Sequence, residues 1–424
     1  MKPFKILLAG LLYLLTFSPV SAQLQFEFEV RPRTEYRHGF KTLASPDQDP
    51  AFFTDQRTRF NGLFSDDNIT VKISLQDVRV WGNQSQLVVG DGNLTSLHEG
   101  WAKFNISPKF AFKVGRQEIA YDDQRILGSV GWAQQARSHD AAILMFQDST
   151  FSGHLGLAFN QNSPRLFSTD YTVKNYKALQ YLWLHKDWKQ ANLSVLVLNN
   201  GVQVLNDNGE AVGTNFSHTL GGRFGFKLGK FQINSSAYYQ GGKQANVQGT
   251  RINALYTGAD LTYGVGRGHS FTLGGEILSG NNQMNPTGEN NAFTPLYGTN
   301  HKFNGLMDYF YVGNHVNNVG LNDLFVKWGM KKSKFNSGIQ LHFFTANEAI
   351  ADEAGKEMSS YLGTEVDITT SFPVTKGVGV AAGYSHMFGS DSMVTLKNAG
   401  STDATSNWVW MMVTIKPSFK IATK

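Results

Sequence analysis

One segment near the start of this chain carries all of its charge on one face. From residue 26 to residue 37 the sequence reads FEFEVRPRTEYR. The odd positions are all charged: Glu27, Glu29, Arg31, Arg33, Glu35 and Arg37. The even positions are all uncharged: Phe26, Phe28, Val30, Pro32, Thr34 and Tyr36. Because a β-strand sends successive side chains to opposite faces, one face suits an apolar medium and the other suits water. Such a strand fits the core of a soluble protein, or a membrane barrel in which the charged face lines the lumen.

The N-terminus has the three parts of a secretory signal. Lys2 and Lys5 precede an apolar run over residues 6–17, and the tripeptide Val20-Ser21-Ala22 follows as the cleavage site. The apolar run is shorter than the ~20 residues that a membrane-spanning helix needs. We therefore predict a signal peptide over residues 1–22 and a mature chain that starts at Gln23.

The composition of the mature chain excludes several classes of protein. No later apolar run approaches spanning length, which excludes a helical membrane protein. The chain has no Cys, so it forms no disulfide and carries no acylated N-terminal Cys. Without Lys2 and Lys5, 36 basic residues stand against 33 acidic ones, and a net charge of +3 does not indicate nucleic acid as a partner. Abundant Gly and an aromatic content of 13% are typical of a membrane barrel, which needs an apolar residue only at every second strand position.

Eighteen segments of alternating polarity follow the signal peptide. They span 24–37, 53–64, 69–81, 95–106, 110–120, 135–146, 151–160, 176–186, 189–200, 216–228, 231–242, 250–264, 269–280, 319–330, 335–346, 358–372, 375–390 and 406–420. Tight turns follow the even-numbered segments, and long connections follow the odd-numbered ones, with residues 243–249 as the exception. This sorting is typical of outer-membrane barrels. The sequence predicts an all-β fold: one transmembrane antiparallel barrel of about 18 strands over residues 23–424, in the outer membrane, with short periplasmic turns and long extracellular loops.

Three local irregularities are expected within this barrel. Pro32 removes a ladder hydrogen bond, so we expect a bulge or a gap there. The apolar phase changes after residue 75, which predicts a bulge near Gln76 that turns Asp77 and Arg79 toward the lumen. The connection 281–318 is long and keeps six aromatic residues, so it is predicted to fold over or into the mouth as a constriction or lid. A solvated surface loop is the alternative for that segment.

The predicted lumen face of the first three strands is rich in charge. Its basic residues are Arg31, Arg33, Arg37, Arg57, Arg59, Lys72 and Arg79, and its acidic residues are Glu27, Glu29, Glu35, Asp55 and Asp77. Charges removed from water need partners, so these groups pair across strands or face an aqueous channel. One interpretation is an ion-pair lattice that stiffens the wall. The other is a basic constriction in which carboxylates hold arginines whose remaining donors guide an anionic solute.

A second concentration of functional residue types spans residues 115–140. It contains the patterns G-R-Q at Gly115, Y-x-D-x-R at Tyr121 and W-x-x-x-x-R-x-x-D at Trp132. Together with R-x-R at Arg57 and Q-D-V-R-V-W at Gln76, this segment resembles the alginate export porins, a family of outer-membrane barrels.

The resemblance implies a monomeric 18-stranded barrel in outer-membrane lipid. It also implies an arginine-rich lumen that passes a polyuronate outward by diffusion, with periplasmic export partners and no cofactor. The pore residues that it implies are Arg31, Arg57, Arg59, Arg79, Arg116, Arg125, Arg137 and Asp140. From the strand pattern and the 115–140 segment we add Arg33, Glu29, Asp77 and Asp123 as predicted lumen residues.

Other chemistries have weaker support in the sequence. Ser-His neighbours occur at Ser138, Ser217 and Ser385, but adjacent strand residues point to opposite faces and form no dyad by themselves. The His residues show no metal-ligand spacing. We therefore expect neither an enzyme nor a metal site. The predicted function is a passive porin for anionic solutes, and the favoured solute is a uronate-containing polysaccharide or oligosaccharide. A general or small-organic-acid porin and a non-conducting surface adhesin remain open alternatives.

Overall fold

In a computed structural model that describes residues 22–87, 94–173 and 175–423, the chain forms one closed antiparallel barrel. Its strands are β1 (Ala22–His38), β2 (Ala51–Ser65), β3 (Ile69–Val80), β4 (Thr95–Asn105), β5 (Phe110–Gln117), β6 (His139–Gln147), β7 (Phe151–Phe159), β8 (Ala178–Asp187), β9 (Ala191–Leu205), β10 (Ala211–Leu228), β11 (Phe231–Lys243), β12 (Arg251–Gly266), β13 (His269–Leu278), β14 (Leu321–Lys331), β15 (Asn336–Thr345), β16 (Tyr361–Thr375), β17 (Val378–Gly389), β18 (Ser406–Ile415) and β19 (Ser418–Thr423). From β1 to β18 each strand pairs with its sequence neighbours, and β1 closes the barrel by pairing with both β18 and β19.

The closing strand is interrupted once. Both β18 and β19 pair with β1 in one continuous register, from His38 opposite Asn407 to Ala22 opposite Thr423. Pro417 lies between them, where it cannot donate a ladder hydrogen bond, although its carbonyl accepts one from the Phe28 amide. The two pieces therefore occupy one position, and within the described residues the barrel has eighteen strand positions, as the sequence predicted.

Alternation along the strands sorts the side chains as predicted. In β1, Phe28 is 44% exposed, whereas its neighbour Glu29 is 4% exposed. The same alternation recurs around the barrel, because Leu220, Leu255, Leu273 and other apolar side chains lie exposed on the outer face. Within the described residues, no helix has the length and apolar character needed to cross a membrane. The charged face of β1 therefore points into the lumen, and the apolar face points outward.

The local irregularities differ in part from expectation. The β1–β18 ladder has the gap predicted at Pro32, since Val30 and Arg33 find partners while residues 31 and 32 do not. The bulge, however, lies in β4, where the register shifts between Ser74 opposite Glu99 and Leu75 opposite Leu97. The β2–β3 ladder runs through residues 70–80 without a shift. The bulge predicted near Gln76 in β3 is therefore wrong.

Two ends of the barrel are distinguished by their connections. The turn end carries the short connections, the start of β1 and the end of β19, and the loop end carries the long connections. Besides loops, the loop end has a short 3₁₀ turn (Asn300–Lys302) and a helix, α1 (Asp391–Lys397), whose N-cap Ser390 accepts a hydrogen bond from the Met393 amide. The predicted signal peptide falls on residues of which only Ala22 is described.

Most of the apolar core lies inside the barrel toward the loop end. The largest fully buried apolar side chains include Trp408, Tyr176, Tyr256, Tyr309, Phe344 and Leu198. Two of them, Tyr176 and Tyr309, belong to long connections, so the loops at this end fold inward and pack against the wall.

Candidate functional site: two inward loops and a charged lumen

Two long connections fold into the lumen and bind each other. We name them inner loop 1 (residues 118–138, between β5 and β6) and inner loop 2 (residues 279–320, between β13 and β14). The Gly128 amide donates to the Tyr297 carbonyl at 2.9 Å, and the Thr299 amide donates to the Gln124 carbonyl at 2.9 Å. At Gly298 a Cβ would lie 2.2 Å from the Arg125 carbonyl oxygen, so only glycine permits this close crossing. The prediction that the 281–318 connection folds into the mouth is confirmed by these contacts.

The lumen face of β1–β5, which we call the basic wall, carries more basic than acidic side chains. The strand registers place on it Arg31, Arg33, Arg37, Arg57, Arg59, Lys72, Lys103 and Lys113, against Glu27, Glu29, Glu35, Asp55 and Glu99. Cross-strand ion pairs join part of this set: Arg57 Nη2 lies 2.5 Å from Glu29 Oε1, and Arg33 Nη2 lies 2.8 Å from Asp55 Oδ2. Lys72 and Glu99 form a further ion pair toward the turn end of the wall.

Inner loop 1 covers the arginines of the basic wall. Arg31 donates through Nε and Nη2 to Gln134 Oε1, at 3.1 and 2.9 Å, and through Nη1 to the Gly131 carbonyl. Arg33 donates to the Trp132 carbonyl at 2.9 Å, and its guanidinium carbon lies 4.4 Å from the Trp132 ring centroid. Neutral carbonyls and a ring face thus add to the carboxylate partners of Arg31 and Arg33.

The four predicted arginines of β1 and β2 are consequently closed off. Arg31, Arg33, Arg57 and Arg59 are all between 4% and 8% exposed. Arg59 uses Nη2 to bind Gln76 Oε1 at 2.7 Å. Glu29 is buried beside Arg57. The structure brings these predicted residues together on the lumen face as an ion-pair lattice beneath inner loop 1.

The lumen face of β12–β17, which we call the acidic wall, lies on the other side of the barrel. The registers place on it Asp260, Glu276, Asp323, Glu365 and Asp367, with Lys327 and Lys331. His342 Nδ1 lies 2.9 Å from Asp323 Oδ1, and Asp367 accepts a hydrogen bond from Ser385 Oγ. The lumen therefore has a wall with surplus basic side chains and a wall with surplus carboxylates, and the two walls bind different groups of the inner loops.

Arg125 of inner loop 1 forms an ion pair with the acidic wall. It is 1% exposed, and its Nη2 lies 2.8 Å from Glu276 Oε2 and 3.1 Å from Asn304 Oδ1. Its guanidinium also lies against the rings of Tyr256 and Phe303. Burial by itself lowers the pKa of Arg125, but Glu276, Tyr256, Asp123 and Asp323 together outweigh it, and the pKa stands above its usual range. Arg125, predicted as a pore residue, is therefore buried, and it attaches inner loop 1 to the acidic wall.

Inner loop 2 binds the acidic wall through neutral donors. Asn304 Nδ2 donates to Glu276 at 3.0 Å and to Asp323 at 3.2 Å, and the Met307 amide donates to Glu365 at 2.8 Å. Gly305 has φ +83°, and a Cβ there would lie 2.6 Å from the Glu365 carboxylate. This close approach requires glycine and fixes the loop against the wall.

Four predicted lumen residues lie on the outer face instead. In the β2–β3 ladder the inward Arg57 and Arg59 stand opposite residues 78 and 76 of β3. Asp77 and Arg79 alternate with those inward positions, so their side chains point outward. Arg116 and Asp140 stand opposite each other and alternate with Gly115 and Gln117, whose partners are the buried Ala141 and His139. The lumen prediction for Asp77, Arg79, Arg116 and Asp140 is therefore wrong. For Asp77 and Arg79 the reason is that the irregularity suggested in β3 lies in β4. The family resemblance predicts Arg116 and Asp140 in the lumen, whereas the regular alternation of β5 and β6 places them outside.

The remaining predicted residues lie within inner loop 1. Arg137 Nη1 donates to the Gly298 carbonyl at 3.2 Å, and burial lowers the pKa of this half-buried guanidinium. Asp123 Oδ2 lies 3.0 Å from Arg223 Nε of β10. Asp123 and Arg223 line a cavity of about 290 Å³, together with Lys302 and Lys327.

Sequence reasoning missed a lysine group lower on the basic wall. Lys103 stands opposite Lys113 in the β4–β5 ladder, and Lys113 Nζ lies 4.0 Å from the Trp101 ring centroid. All three are partly exposed, and they lie toward the turn end from the arginines. The alternation in WAKFN and FAFKVGR places these side chains on the lumen face and could have revealed them.

The bulge in β4 creates a further cluster. It turns both His98 and Glu99 inward, where His98, Glu99 and Glu118 could together hold a metal ion. Their atoms already have partners: His98 Nε2 binds Glu118 at 2.7 Å, while Glu99 binds Lys72 and the Trp101 indole. We therefore describe the cluster as a hydrogen-bonded ion-pair network.

A family model matches most of the sequence that forms this barrel. The family model described as alginate export matches residues 22–409. The chain belongs to the alginate export family. As in other outer-membrane barrels, the turn end of this family member faces the periplasm, and the loop end faces outside the cell. No curated protein matches the chain in sequence.

Solved structures place this alginate export family member among outer-membrane channel folds. OccAB4 of Acinetobacter baumannii superposes with a TM-score of 0.64 at 12% identity, over 93% of this chain and 98% of that one. OpdK of Pseudomonas aeruginosa gives 0.60 at 11% identity, over 93% and 99%. OpdK with vanillate gives 0.57 at 9% identity over the same shares. At such identities the likeness concerns the fold, an outer-membrane porin-type barrel.

Proposed function

We propose that this outer-membrane barrel is a passive porin that conducts anionic saccharides, with uronate-containing oligosaccharide or polysaccharide as the solute. The observation that carries the proposal is the surplus of basic side chains on the basic wall. Fixed positive charge beside a water-filled path raises the local concentration of anions and lowers the barrier to their passage. Membership of the alginate export family supports the same class of solute.

The arginines beneath inner loop 1 do not contact the solute in this proposal. Their donors bind Gln134, Glu29 and backbone carbonyls, so they set the potential of the wall and hold the loop. The partly exposed Lys103 and Lys113 contact the solute on the periplasmic side of the loop. Trp101, two positions from Lys103 on the same face of β4 and in contact with Lys113, offers a ring face for a sugar.

One observation favours a narrower solute. Inner loops 1 and 2 bind each other inside the lumen, and residues of both line a cavity of about 290 Å³. This arrangement supports a second candidate, a porin for small organic acids. Periplasmic export partners, a monomeric state and the direction of transport remain predictions from the family resemblance.

Single-channel recording in planar bilayers tests the proposal. Under a KCl gradient the full chain should show an anion-selective reversal potential, and a uronate oligosaccharide should block the current while a neutral glucan of equal length should not. Lys103→Gln and Lys113→Gln should each move the reversal potential toward zero. The matched control is Lys109→Gln, the same change of charge in an exposed periplasmic turn. A cation-selective pore, or no conductance, contradicts the proposal. Block by a small aromatic carboxylate alone assigns the second candidate.

A further inference from the structure

The amide-rich cavity at the extracellular mouth is distinct from the charged lumen. Its volume is about 450 Å³, and it lies between the loop ends of β9–β12 and inner loop 2. Seven of its sixteen lining residues are amides: Asn200, Asn215, Gln240, Gln244, Asn246, Asn290 and Asn317. Its single charged lining residue is Lys243, so within the described residues no carboxylate lines it. A polar ligand therefore meets many neutral donors and acceptors and one cation.

The amides are held in place by the loops that carry them. Asn215 Nδ2 donates to the carbonyls of Gln244 and Asn246 at 2.7 and 3.0 Å, which fixes the β11–β12 connection over the cavity. Gln240 binds the backbone of Thr294 through both ends of its amide, at 2.8 and 2.9 Å. Residues so constrained lose little conformational entropy when a ligand binds.

Several polar groups of the cavity stay open for a ligand. Asn317 Oδ1 accepts from Gln244 and Asn290, which leaves its Nδ2 as a donor without a partner among the described residues. The Oδ1 acceptor of Asn215 and the ammonium of Lys243 likewise make no hydrogen bond or ion pair within the described chain. A donor, an acceptor and a cation therefore converge on one space.

Apolar side chains complete the lining. Val202, Ile252, Leu296 and Val316 contribute aliphatic surface between the amides. A sugar ring presents hydroxyl groups at its rim and C–H groups on its faces, so alternating amide and aliphatic surface matches it. The lone lysine matches a carboxylate on the ring.

We propose that this cavity binds a uronate sugar unit of a saccharide at the extracellular mouth. Lys243 binds the carboxylate, and Asn215 and Asn317 bind hydroxyl groups. The inference takes its ligand class from the proposed function, but it concerns equilibrium binding at the mouth and does not require conduction.

Binding of a uronate trisaccharide to the detergent-solubilised full chain, measured by isothermal titration calorimetry, tests the assignment. The wild type should bind it saturably. Lys243→Gln should weaken binding about tenfold, because a charge-assisted contact is lost. Asn317→Ala should weaken binding of both the uronate and a neutral trisaccharide a few-fold. The control Lys230→Gln changes the same charge in a periplasmic turn and should leave binding unchanged.

The outcomes separate this site from the pore. No saturable binding, or uronate binding that neither Lys243→Gln nor Asn317→Ala weakens, overturns the cavity assignment. Equal affinity for the uronate and neutral sugars in the wild type overturns the role of Lys243. Reversal potentials recorded on the same variants should match the wild type, so binding that persists in a pore without anion selectivity supports this site while contradicting the proposed function.

Discussion

The basic wall and the acidic wall bind the same loop by opposite means. At the basic wall, inner loop 1 offers Arg31 and Arg33 neutral groups, the carbonyls of Gly131 and Trp132 and the amide of Gln134. Both arginines already have carboxylate neighbours. At the acidic wall, the same loop offers a full positive charge, Arg125, to Glu276. The difference teaches that arginines which already have carboxylate neighbours on their wall need only hydrogen-bonding partners from a loop. A wall with a carboxylate surplus needs a cation, because an unpaired buried charge is far more costly.

The largest expected effect is at the acidic wall. Arg125→Met leaves Glu276 without its cation in a buried site and should lower the free energy of unfolding by about 3–5 kcal/mol. Urea titration of the detergent-solubilised protein measures this. Adding Glu276→Gln to the same variant removes the unpaired charge and should restore most of the loss. A single variant as stable as the wild type would break the comparison.

A smaller loss is expected at the basic wall. Gln134→Ala removes the acceptor of two Arg31 donors and a donor to Asp55, and should lower the free energy of unfolding by about 1–3 kcal/mol. Gln135→Ala is the matched control, because among the described residues this exposed neighbour makes only a backbone contact, from its carbonyl to Gln76. If Gln134→Ala costs as much as Arg125→Met, the two walls do not differ in the way described.

Attachment of inner loop 2 to α1 should depend on pH. Lys397 Nζ donates to the carbonyls of Tyr309 and Asn314, and burial lowers the pKa of Lys397 to about 7 from 10.5. Between these values the unfolded segment holds the proton and the folded one does not, so stability rises with pH in that window, by at most about 1.4 kcal/mol per pH unit. It stays at its lower level below pH 7.

Limited proteolysis of inner loop 2 at pH 6 and pH 9 measures this dependence. The ratio of cleavage rates between the wild type and Lys397→Met cancels the pH dependence of the protease. The wild type should gain protection relative to the variant at pH 9. The groups that face Lys397 are the Tyr309 and Asn314 carbonyls, the Phe310 ring and His315 Nδ1. Burial lowers the pKa of His315 to about 3, so His315 stays neutral across this range. A constant ratio would contradict the prediction.

The smallest effect is expected outside both walls. Arg116 is paired with Asp140 on the outer face, and their side chains are 40% and 62% exposed. Arg116→Ala should change the free energy of unfolding by less than about 1 kcal/mol and leave the reversal potential unchanged. A shift as large as that of Lys113→Gln would return Arg116 to the lumen and sharpen the boundary of the basic wall.

Most of the fold was predicted from the regular alternation of apolar and polar residues along the strands. In β1 the sequence distinguishes the inward Glu29 from the outward Phe28 because a strand has a period of two, and the same argument places all eighteen strand positions. It fails where the period is broken. The phase change at Asp77 and Arg79 looks like a bulge in β3, but the extra residue lies in β4, and a single strand's sequence does not show which partner carries it.

The sequence by itself determined the barrel, its two faces and the surplus of positive charge on the first strands, because these depend on local periodicity and composition. Only the tertiary structure decided what those charges touch. Arg31 and Arg33 meet inner loop 1 about a hundred positions further along the chain, and Arg125 meets Glu276 across the lumen. Such contacts depend on how two irregular loops fold inside a closed wall, and no period in the sequence encodes that path.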